Sequence, residues 1–411
     1  MINSIQDEVV AVVGLGYVGL PLVISLANSG RRVIGIDLNK EIVDGLTSEL
    51  SHIEDISNEE IKRLNRGKLV EYTTEFKKIS EVSVVFICVP TPLDSTGRPD
   101  LAFLTKAIDS CSPYLQNDSL VINESSSYPG TLRNLIMSRA LERSSAQRIQ
   151  FAVAPERINP GTKDFRREDI PRVVGAISEA ALTRATRIYE DISESVFSVS
   201  NAEVAELSKL LENSYRQINI SFINEFNNLC RKIGIDTREV IRAASTKPYG
   251  FQPFYPGAGI GGHCIPVDPI YLQDFASQMG MSLRMIESAR VVNSDVPNSI
   301  VMKVVESVGG NIESMRILLL GVAYKPDIGD TRETPALAIA DHLTKLKAEL
   351  FWIDDYVKDW AYPKALRDEK WDIAILVTNH TNVDYSNFIN RTKYFFDVTG
   401  HLSDNAKVIQ L

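Results

Sequence analysis

An apolar run, Val9 to Val13, passes directly into Gly14-Leu15-Gly16-Tyr17-Val18-Gly19, and this junction constrains the fold more than any other stretch of the chain. In a Gly-x-Gly-x-x-Gly turn the first glycine makes the bend and the second lets backbone approach a pyrophosphate. The third lets helix and strand pack closely. Leu20 to Asn28 reads as the helix that the turn requires, and its N-terminal amides and dipole can receive phosphate charge. Arg32 to Ile36 reads as a second strand ending in Asp37, 23 residues after Gly14. A carboxylate there accepts bonds from adenosine ribose hydroxyls and repels a 2′-phosphate. The expected cofactor is therefore NAD rather than NADP. Arg31 and Arg32 could attract a 2′-phosphate, but they precede the strand, whereas Asp37 ends it.

The strand-then-loop pattern repeats. Val82 to Val89 is an apolar run stopped by Pro90 and Pro92, followed by Leu120 to Ile122, Phe151 to Ala154 and the shorter Arg172 to Val174. Strands alternating with helices predict a parallel, doubly wound sheet over roughly the first 195 residues. From Ala202 to Ile233 there is no glycine or proline, and Val204, Leu207, Leu211, Ile218, Phe222 and Phe226 recur at helical intervals, predicting one long helix or two abutting ones. Helical sequence continues to Ala244, a Gly- and Pro-rich loop runs from Pro248 to Pro269, and helical sequence resumes through Asn293. Arg316 to Leu320, Leu350 to Ile353 and Ile373 to Val377 then predict a second, smaller α/β sheet. The expected fold class is α/β, with two Rossmann-like domains joined by a central helical domain. The expected bounds are 1–197 (cofactor), 198–304 (helical) and 305–411 (second Rossmann-like domain).

With 53 acids against 44 bases the chain carries a formal charge of -9, which argues against a nucleic-acid partner. Arg31-Arg32 and Arg166-Arg167 read as solvated or as local anion contacts. No run approaches the 18 or so apolar residues of a membrane span, and Met1 to Glu8 is unlike a secretory leader. Cys88, Cys111, Cys230 and Cys264 match no zinc spacing. No membrane and no metal are expected, and a reducing cytoplasm would keep a thiol available for chemistry.

Gly259-Ile260-Gly261-Gly262-His263-Cys264-Ile265-Pro266-Val267-Asp268 is the most informative loop. Clustered glycines permit close ligand approach and can expose the Cys264 sulfur. If a helical turn begins here, Asp268 shares the thiol's face. A carboxylate does not itself favour a thiolate, so positive charge must come from elsewhere. Lys209 is the candidate, with Asn213 one turn further along the same helix. Cys88, by contrast, reads as a packed hydrophobe, and Cys111 and Cys230 lack polar surroundings. His263 reads as a base or as a loop-supporting hydrogen bonder.

Further motifs run along the chain: Gly14 to Gly19, Val89-Pro90-Thr91-Pro92, Glu124 to Thr131, Pro155-Glu156-Arg157-Ile158-Asn159-Pro160-Gly161, and Lys209-x-x-x-Asn213. They continue with Asn224-Glu225, Gly261 to Asp268, and Gly321-x-Ala323-Tyr324-Lys325 ahead of Asp330-x-Arg332. In order and combination they resemble the UDP-glucose/UDP-N-acetylmannosamine dehydrogenase family over essentially the whole chain. The resemblance implies that Cys264 is the nucleophile and that Lys209 and Asn213 stabilise oxygen charge. Glu156 and Asp268 would manage water and protons, and Thr91 would hold the reacting region. It implies cofactor contacts at Gly14, Gly16, Tyr17, Val18, Gly19, Asp37, Pro90, Thr91 and Ser126, and at Arg332 reaching from the terminal domain. Substrate contacts would fall to Glu156, Arg157, Lys209, Asn213, Phe254, Tyr255, Gly261, Tyr324 and Lys325. Ser127 and Tyr128 depart from the family's usual apolar and proline choices. The family also implies a UDP-sugar substrate and a homodimer built on the central helices.

The activity so implied is a four-electron oxidation of a sugar 6-hydroxymethyl group to a carboxylate by way of a Cys264 thiohemiacetal and thioester. The segment Lys247 to Gly257 resembles the N-acetylhexosamine branch. His263 stands where the glucose branch commonly has serine, and no arginine near Tyr249 matches that branch's substrate contact. UDP-N-acetylglucosamine is the narrow expectation, ahead of UDP-N-acetylmannosamine and UDP-glucose. Two other readings stay open: a single-step dehydrogenase with a structural Cys264, and an NAD-binding redox sensor with no sugar turnover.

Overall fold

The computed structural model describes residues 8–411 apart from 54, 159–164, 263, 368 and 403–404. The chain divides into two compact units. One runs through Glu212 and adds Ile270–Met279, and the other comprises Asn213–Pro269 and Gly280–Leu411. Among the described residues no helix is long and apolar enough to cross a membrane.

The first unit holds eight strands: β1 (Val10–Val13), β2 (Val33–Ile36), β3 (Val70–Thr73), β4 (Val84–Ile87), β5 (Leu120–Asn123), β6 (Gln150–Val153), β7 (Arg172–Ala176) and β8 (Val196–Ser198). Their order is β3-β2-β1-β4-β5-β6-β7-β8. β1 is central and wholly buried, since helices cover both faces of such a sheet. Its alternate residues feed two cores. Val10 and Val12 pack with Leu20, Leu22 and Leu26 on one face, and Ala11 and Val13 with Leu104 and Ile108 on the other. The strand order reverses at β1 and β4, where a doubly wound sheet opens its ligand crevice.

Two features differ from the sequence expectation. The sheet is not wholly parallel, because β7 pairs antiparallel with β6. Among the described residues no helix of the kind a parallel crossover uses lies between those strands. The edge strands β3 and β8 were not anticipated, since Val-Glu-Tyr-Thr and Val-Phe-Ser lack the apolar run of a central strand. Of the two readings of Arg31, solvated or in a local anion contact, the second holds: it is fully buried and ion-paired to Asp191 at 2.5 Å.

One helix of 31 residues, Ala202–Lys232, replaces the choice between one helix and two. Val204, Leu207, Leu211 and Phe222, which signal it in the sequence, are exposed. The buried side is mixed: Glu206, Lys209, Asn213, Gln217, Ser221 and Asn224 lie inside with Ala205, Leu210 and Ile223. Glu206 shows why. Its two oxygens accept from the amides of Gly130 and Leu132, at 2.6 and 2.8 Å. This satisfies donors at the start of the π-helical stretch Leu132–Met137.

The second unit carries a five-stranded, all-parallel sheet in the order β10-β9-β11-β12-β13. The strands are β9 (Arg316–Leu320), β10 (Glu349–Ile353), β11 (Trp371–Leu376), β12 (Thr392–Asp397) and β13 (Val408–Gln410). β12 and β13 add to the three strands expected. Val301 and Val304, from the helix Arg284–Ser307, pack with Ile317, Leu319, Ile339 and Leu343 in this unit's core.

Candidate active site

The glycine turn fits a dinucleotide. A Cβ on Gly14 (φ +90°) would sit 2.6 Å from the Cys88 carbonyl oxygen, and one on Gly19 would overlap the carbonyl oxygen of Gly14. Gly16 differs, because a Cβ there would meet no protein atom within 4 Å and would project into open space. Close strand–helix packing thus explains Gly14 and Gly19, while room for a ligand explains Gly16. The helix Gly19–Asn28 begins without a side-chain cap and with no acid in its first turn, leaving its positive end to an anion. Asp37, just beyond β2, is tied to the turn. Its Oδ2 accepts from the Leu15 amide and its Oδ1 from the Asn39 amide, both at 2.8 Å. Tyr17 is exposed and Val18 half-buried at the turn; beyond β4, Pro90 is exposed and Thr91 half-buried. Ser125 joins two of these loops by donating to the Val89 carbonyl at 2.8 Å, with half-buried Ser126 next to it.

Behind this lies a buried charge cluster that sequence reasoning found only in part. The guanidinium of Arg172 on β7 contacts Glu156 at 2.7 Å and Glu124 at 3.6 Å, and all three residues are buried. The other Glu156 oxygen accepts from the amides of Arg157 and Ile158, at 2.7 and 2.8 Å. Burial alone would raise the Glu156 pKa. Arg172, the two amides and Lys209 outweigh it and hold this carboxyl below its ordinary value. Burial pushes Glu124 up to about 7, against the more distant Arg172 guanidinium and a bond from the Tyr189 hydroxyl. One guanidinium serves two acids, so one stays ionised and the other tends to neutrality. Lys209 donates to the backbone oxygen of Glu156 at 2.5 Å, which fixes its ammonium with donors to spare. A possible Glu156–Arg157 ion pair is replaced by Glu156–Arg172, while the Arg157 guanidinium binds Glu212 at 2.7 Å. Arg172, Glu124 and Tyr189 were missed. The available signal was an acid directly after an apolar strand, where a buried charge needs a partner.

In the second unit Cys264 is exposed, whereas Cys88, Cys111 and Cys230 are buried. Burial raises the Cys88 and Cys111 thiols well above the ordinary range, which makes them inert. The Cys264 carbonyl accepts from the Val267 and Asp268 amides at 3.3 and 2.9 Å, closing one turn ahead of the helix Asp268–Gln278. Asp268 therefore stands one turn beyond the thiol, as the sequence suggested. It is buried and accepts from Asn213 at 2.5 Å. Lys209 and Asn213 lie a turn apart on one helix strip but take different partners, Glu156 and Asp268. Gly261 and Gly262 (φ +83°) lie against Tyr324, whose ring would be 2.7 Å from a Cβ on Gly262. The loop is pinned by two asparagines: Asn224 accepts from the Gly257 amide at 3.0 Å, and Asn293, which was missed, from the Ile260 amide at 2.8 Å. Phe254 packs edge-on to Tyr215, and Arg238 lies over the exposed Tyr255 ring. Lys325 is half-buried, and exposed Arg332 forks onto Asp330 at 2.6 Å. His263 lies outside the described residues, as do Asn159, Pro160 and Gly161.

A β-sheet of this order, with such a turn at its switch point, defines a dinucleotide-binding protein of the doubly wound class. Models of the UDP-glucose/GDP-mannose dehydrogenase family match nearly the whole chain: its NAD binding domain over residues 8–193, its central domain over 203–295 and its UDP binding domain over 318–404. The chain belongs to this family and is an NAD-dependent UDP-sugar dehydrogenase. Among its relatives, the UDP-N-acetyl-D-mannosamine dehydrogenase of Methanocaldococcus jannaschii is 34% identical over 92% of this chain and 87% of its own length. The UDP-N-acetyl-D-glucosamine 6-dehydrogenase of Pseudomonas aeruginosa is also 34% identical, over 86% and 84%. The solved UDP-D-ManNAc dehydrogenase from Pyrococcus horikoshii superposes with a TM-score of 0.87 at 29% identity, covering 98% of each chain.

Proposed function

We propose that the chain oxidises C6 of a UDP-N-acetylhexosamine, UDP-N-acetylglucosamine first, to the uronate through a covalent adduct on Cys264. The observation that carries this reading is one exposed thiol on a glycine loop, a single turn from buried Asp268, while the other three cysteines are buried. NAD, when bound at the Gly14–Gly19 turn and Asp37, supplies the hydride acceptor, and two are consumed per acid formed. Oxidation of the alcohol leaves an aldehyde, which has no further hydride to give until something adds to its carbon. The Cys264 sulfur adds, and Lys209 and Asn213 hold the resulting oxygen charge. The second oxidation turns this thiohemiacetal into a thioester. Water then splits the C–S bond, giving the carboxylate and returning the thiol. Asp268, one turn beyond the thiol, is placed to take the proton from that water. Glu156 is held ionised by Arg172 and two amides, so it is a weak base and serves to position Lys209.

The N-acetyl assignment is supported by relatives named for both epimers at 34% identity and by His263 in place of the glucose branch's serine. The purified protein, given each UDP-sugar at matched subsaturating concentration with excess NAD⁺ or NADP⁺, should form two NADH per acid. The largest kcat/KM should be for UDP-N-acetylglucosamine with NAD⁺. A larger value for UDP-glucose overturns the N-acetyl assignment, and one for the manno epimer overturns the C2 configuration. One NADH with free aldehyde would favour the single-step reading. Preference for NADP⁺ would remove the ribose role of Asp37.

We also propose a homodimer in which the exposed apolar strip of the Ala202–Lys232 helix meets a second copy. Leu211 and Phe222 are 67% and 60% exposed there, an unusual cost for a helix left in water. Light scattering should give twice the 45.7 kDa chain mass, and a monomer would defeat the proposal.

A further inference from the structure

The loop after β9 carries Tyr324 and Lys325, and something must hold it in shape. Its backbone is gathered onto one buried carboxylate. Asp354, just beyond β10, accepts from the Val322 and Ala323 amides at 2.7 and 3.1 Å through Oδ2, and from the Tyr356 and Val357 amides at 2.9 and 3.2 Å through Oδ1. The Thr378 hydroxyl donates to the Ala323 carbonyl at 2.6 Å. A further tie is His380, 2% exposed, whose Nε2 lies 3.0 Å from Asp354 Oδ2 and whose Nδ1 accepts from the Asp327 amide at 2.9 Å. An amide can only donate, so Nδ1 presents its lone pair. Nε2 then carries the proton and donates to Asp354. One imidazole thus bridges both halves of the loop, Val322–Ala323 through Asp354 and Asp327 directly. The Tyr356 ring stacks on it at 4.6 Å, and the Tyr385 hydroxyl accepts from its backbone amide at 3.1 Å. Asp327 itself sits at φ +62°, in the left-handed region that aspartate tolerates. Its carboxylate accepts from the Thr381 amide and hydroxyl at 2.9 and 2.7 Å.

We infer that His380 is a positioning residue for nucleotide-sugar binding, bracing the Tyr324–Lys325 loop from behind through Asp354 and the Asp327 amide. The chain from His380 to the thiol loop is continuous in this unit, since Tyr324 packs directly on Gly261 and Gly262, two residues ahead of Cys264. The bonds named here all lie within the second unit, so the effect should fall first on the sugar nucleotide. The inference rests on the reading that Tyr324 and Lys325 contact that ligand.

The test is calorimetric titration of the full-length protein with UDP and, separately, with NAD⁺. His380→Ala loses two hydrogen bonds, each worth roughly two- to tenfold in an equilibrium. It should weaken UDP binding about tenfold and leave NAD⁺ affinity unchanged. His380→Asn places an amide oxygen where Nδ1 was, keeps the Asp327 bond and should recover most of the loss. His380→Gln, which reaches only Asp354, should recover less. Lys325→Ala is the control. If it leaves UDP affinity intact, the reading of the loop falls; if it weakens UDP binding while all three His380 variants bind as wild type, only the His380 inference falls. Equal loss of UDP and NAD⁺ in the alanine variant, or no difference between the Asn and Gln variants, would also overturn it.

Discussion

Cys264→Ala is expected to bind NAD⁺ and the UDP-sugar within about threefold of wild type, since a small exposed side chain contributes little to affinity, and to release no acid. Deleting a covalent nucleophile costs roughly a million-fold in turnover, which puts acid formation below any assay floor. The reason is specific to the second oxidation. An aldehyde cannot yield a hydride until a nucleophile restores a tetrahedral carbon, and no other cysteine can substitute. Cys88, Cys111 and Cys230 are buried, and the first two are held protonated by burial. Cys264→Ser keeps a weaker nucleophile and should form acid slowly, so adduct would accumulate and be seen by intact-mass spectrometry. Acid formation by the alanine variant at a tenth of the wild-type rate or more would sink the covalent assignment.

The legible parts of this site are those whose chemistry is local in sequence. Gly14, Gly16 and Gly19 announce their turn because backbone strain and ligand room are decided within six residues. Asp37 is legible because a strand end fixes its place. The thiol loop declares itself in the same way, and its helical turn from Cys264 to Asp268 forms as expected. The Ala202–Lys232 helix was found from its apolar period, yet the period marked the wrong face for the monomer. Val204, Leu207, Leu211 and Phe222 are exposed, while Glu206, Lys209 and Asn213 lie inside. Periodicity reports that a stripe exists and not what covers it.

The less legible parts depend on partners far apart in the chain. Glu206 caps a helix start 74 residues away, and Asn293 holds the Ile260 amide from 33 residues away. His380 meets Asp354 across 26 residues and Asp327 across 53. A lone histidine in Thr378-Asn379-His380 carries no sign of these contacts, because the satisfaction of a buried polar group becomes visible only when the sheet brings strand ends together. β12 and β13 were missed for a related reason. Thr392 to Asp397 mixes polar and aromatic residues without the continuous apolar run of β9, and β13 spans three residues at the sheet edge.

Arg172→Met tests the most consequential of the residues that sequence reading passed over. The substitution keeps an apolar stem of similar reach and removes the guanidinium in contact with Glu124 and Glu156, both buried. Breaking a buried pair by deleting one partner costs about 3–5 kcal/mol, so the first unit's melting temperature should drop on the order of 10 °C. The sign of the pH effect follows from the two acids. Glu124 already stands at about 7 through burial, whereas Glu156 lies below its ordinary value chiefly because Arg172 outweighs its burial. Without Arg172 both acids are raised. A carboxyl raised in the folded state adds stability below its unfolded value near 4.5 and loses it as pH climbs through the folded value. The gap between variant and wild type should therefore be small near pH 5, where both acids can hold protons, and widest near pH 8. Glu124→Gln in the Arg172→Met background removes one of the two opposed charges and should restore part of the loss at pH 8 but little at pH 5. A melting temperature within about 2 °C of wild type at pH 8, or a gap independent of pH, would show that Arg172 does not neutralise this pair. The ionised state of Glu156, and with it the fixed place of Lys209, would then need another source.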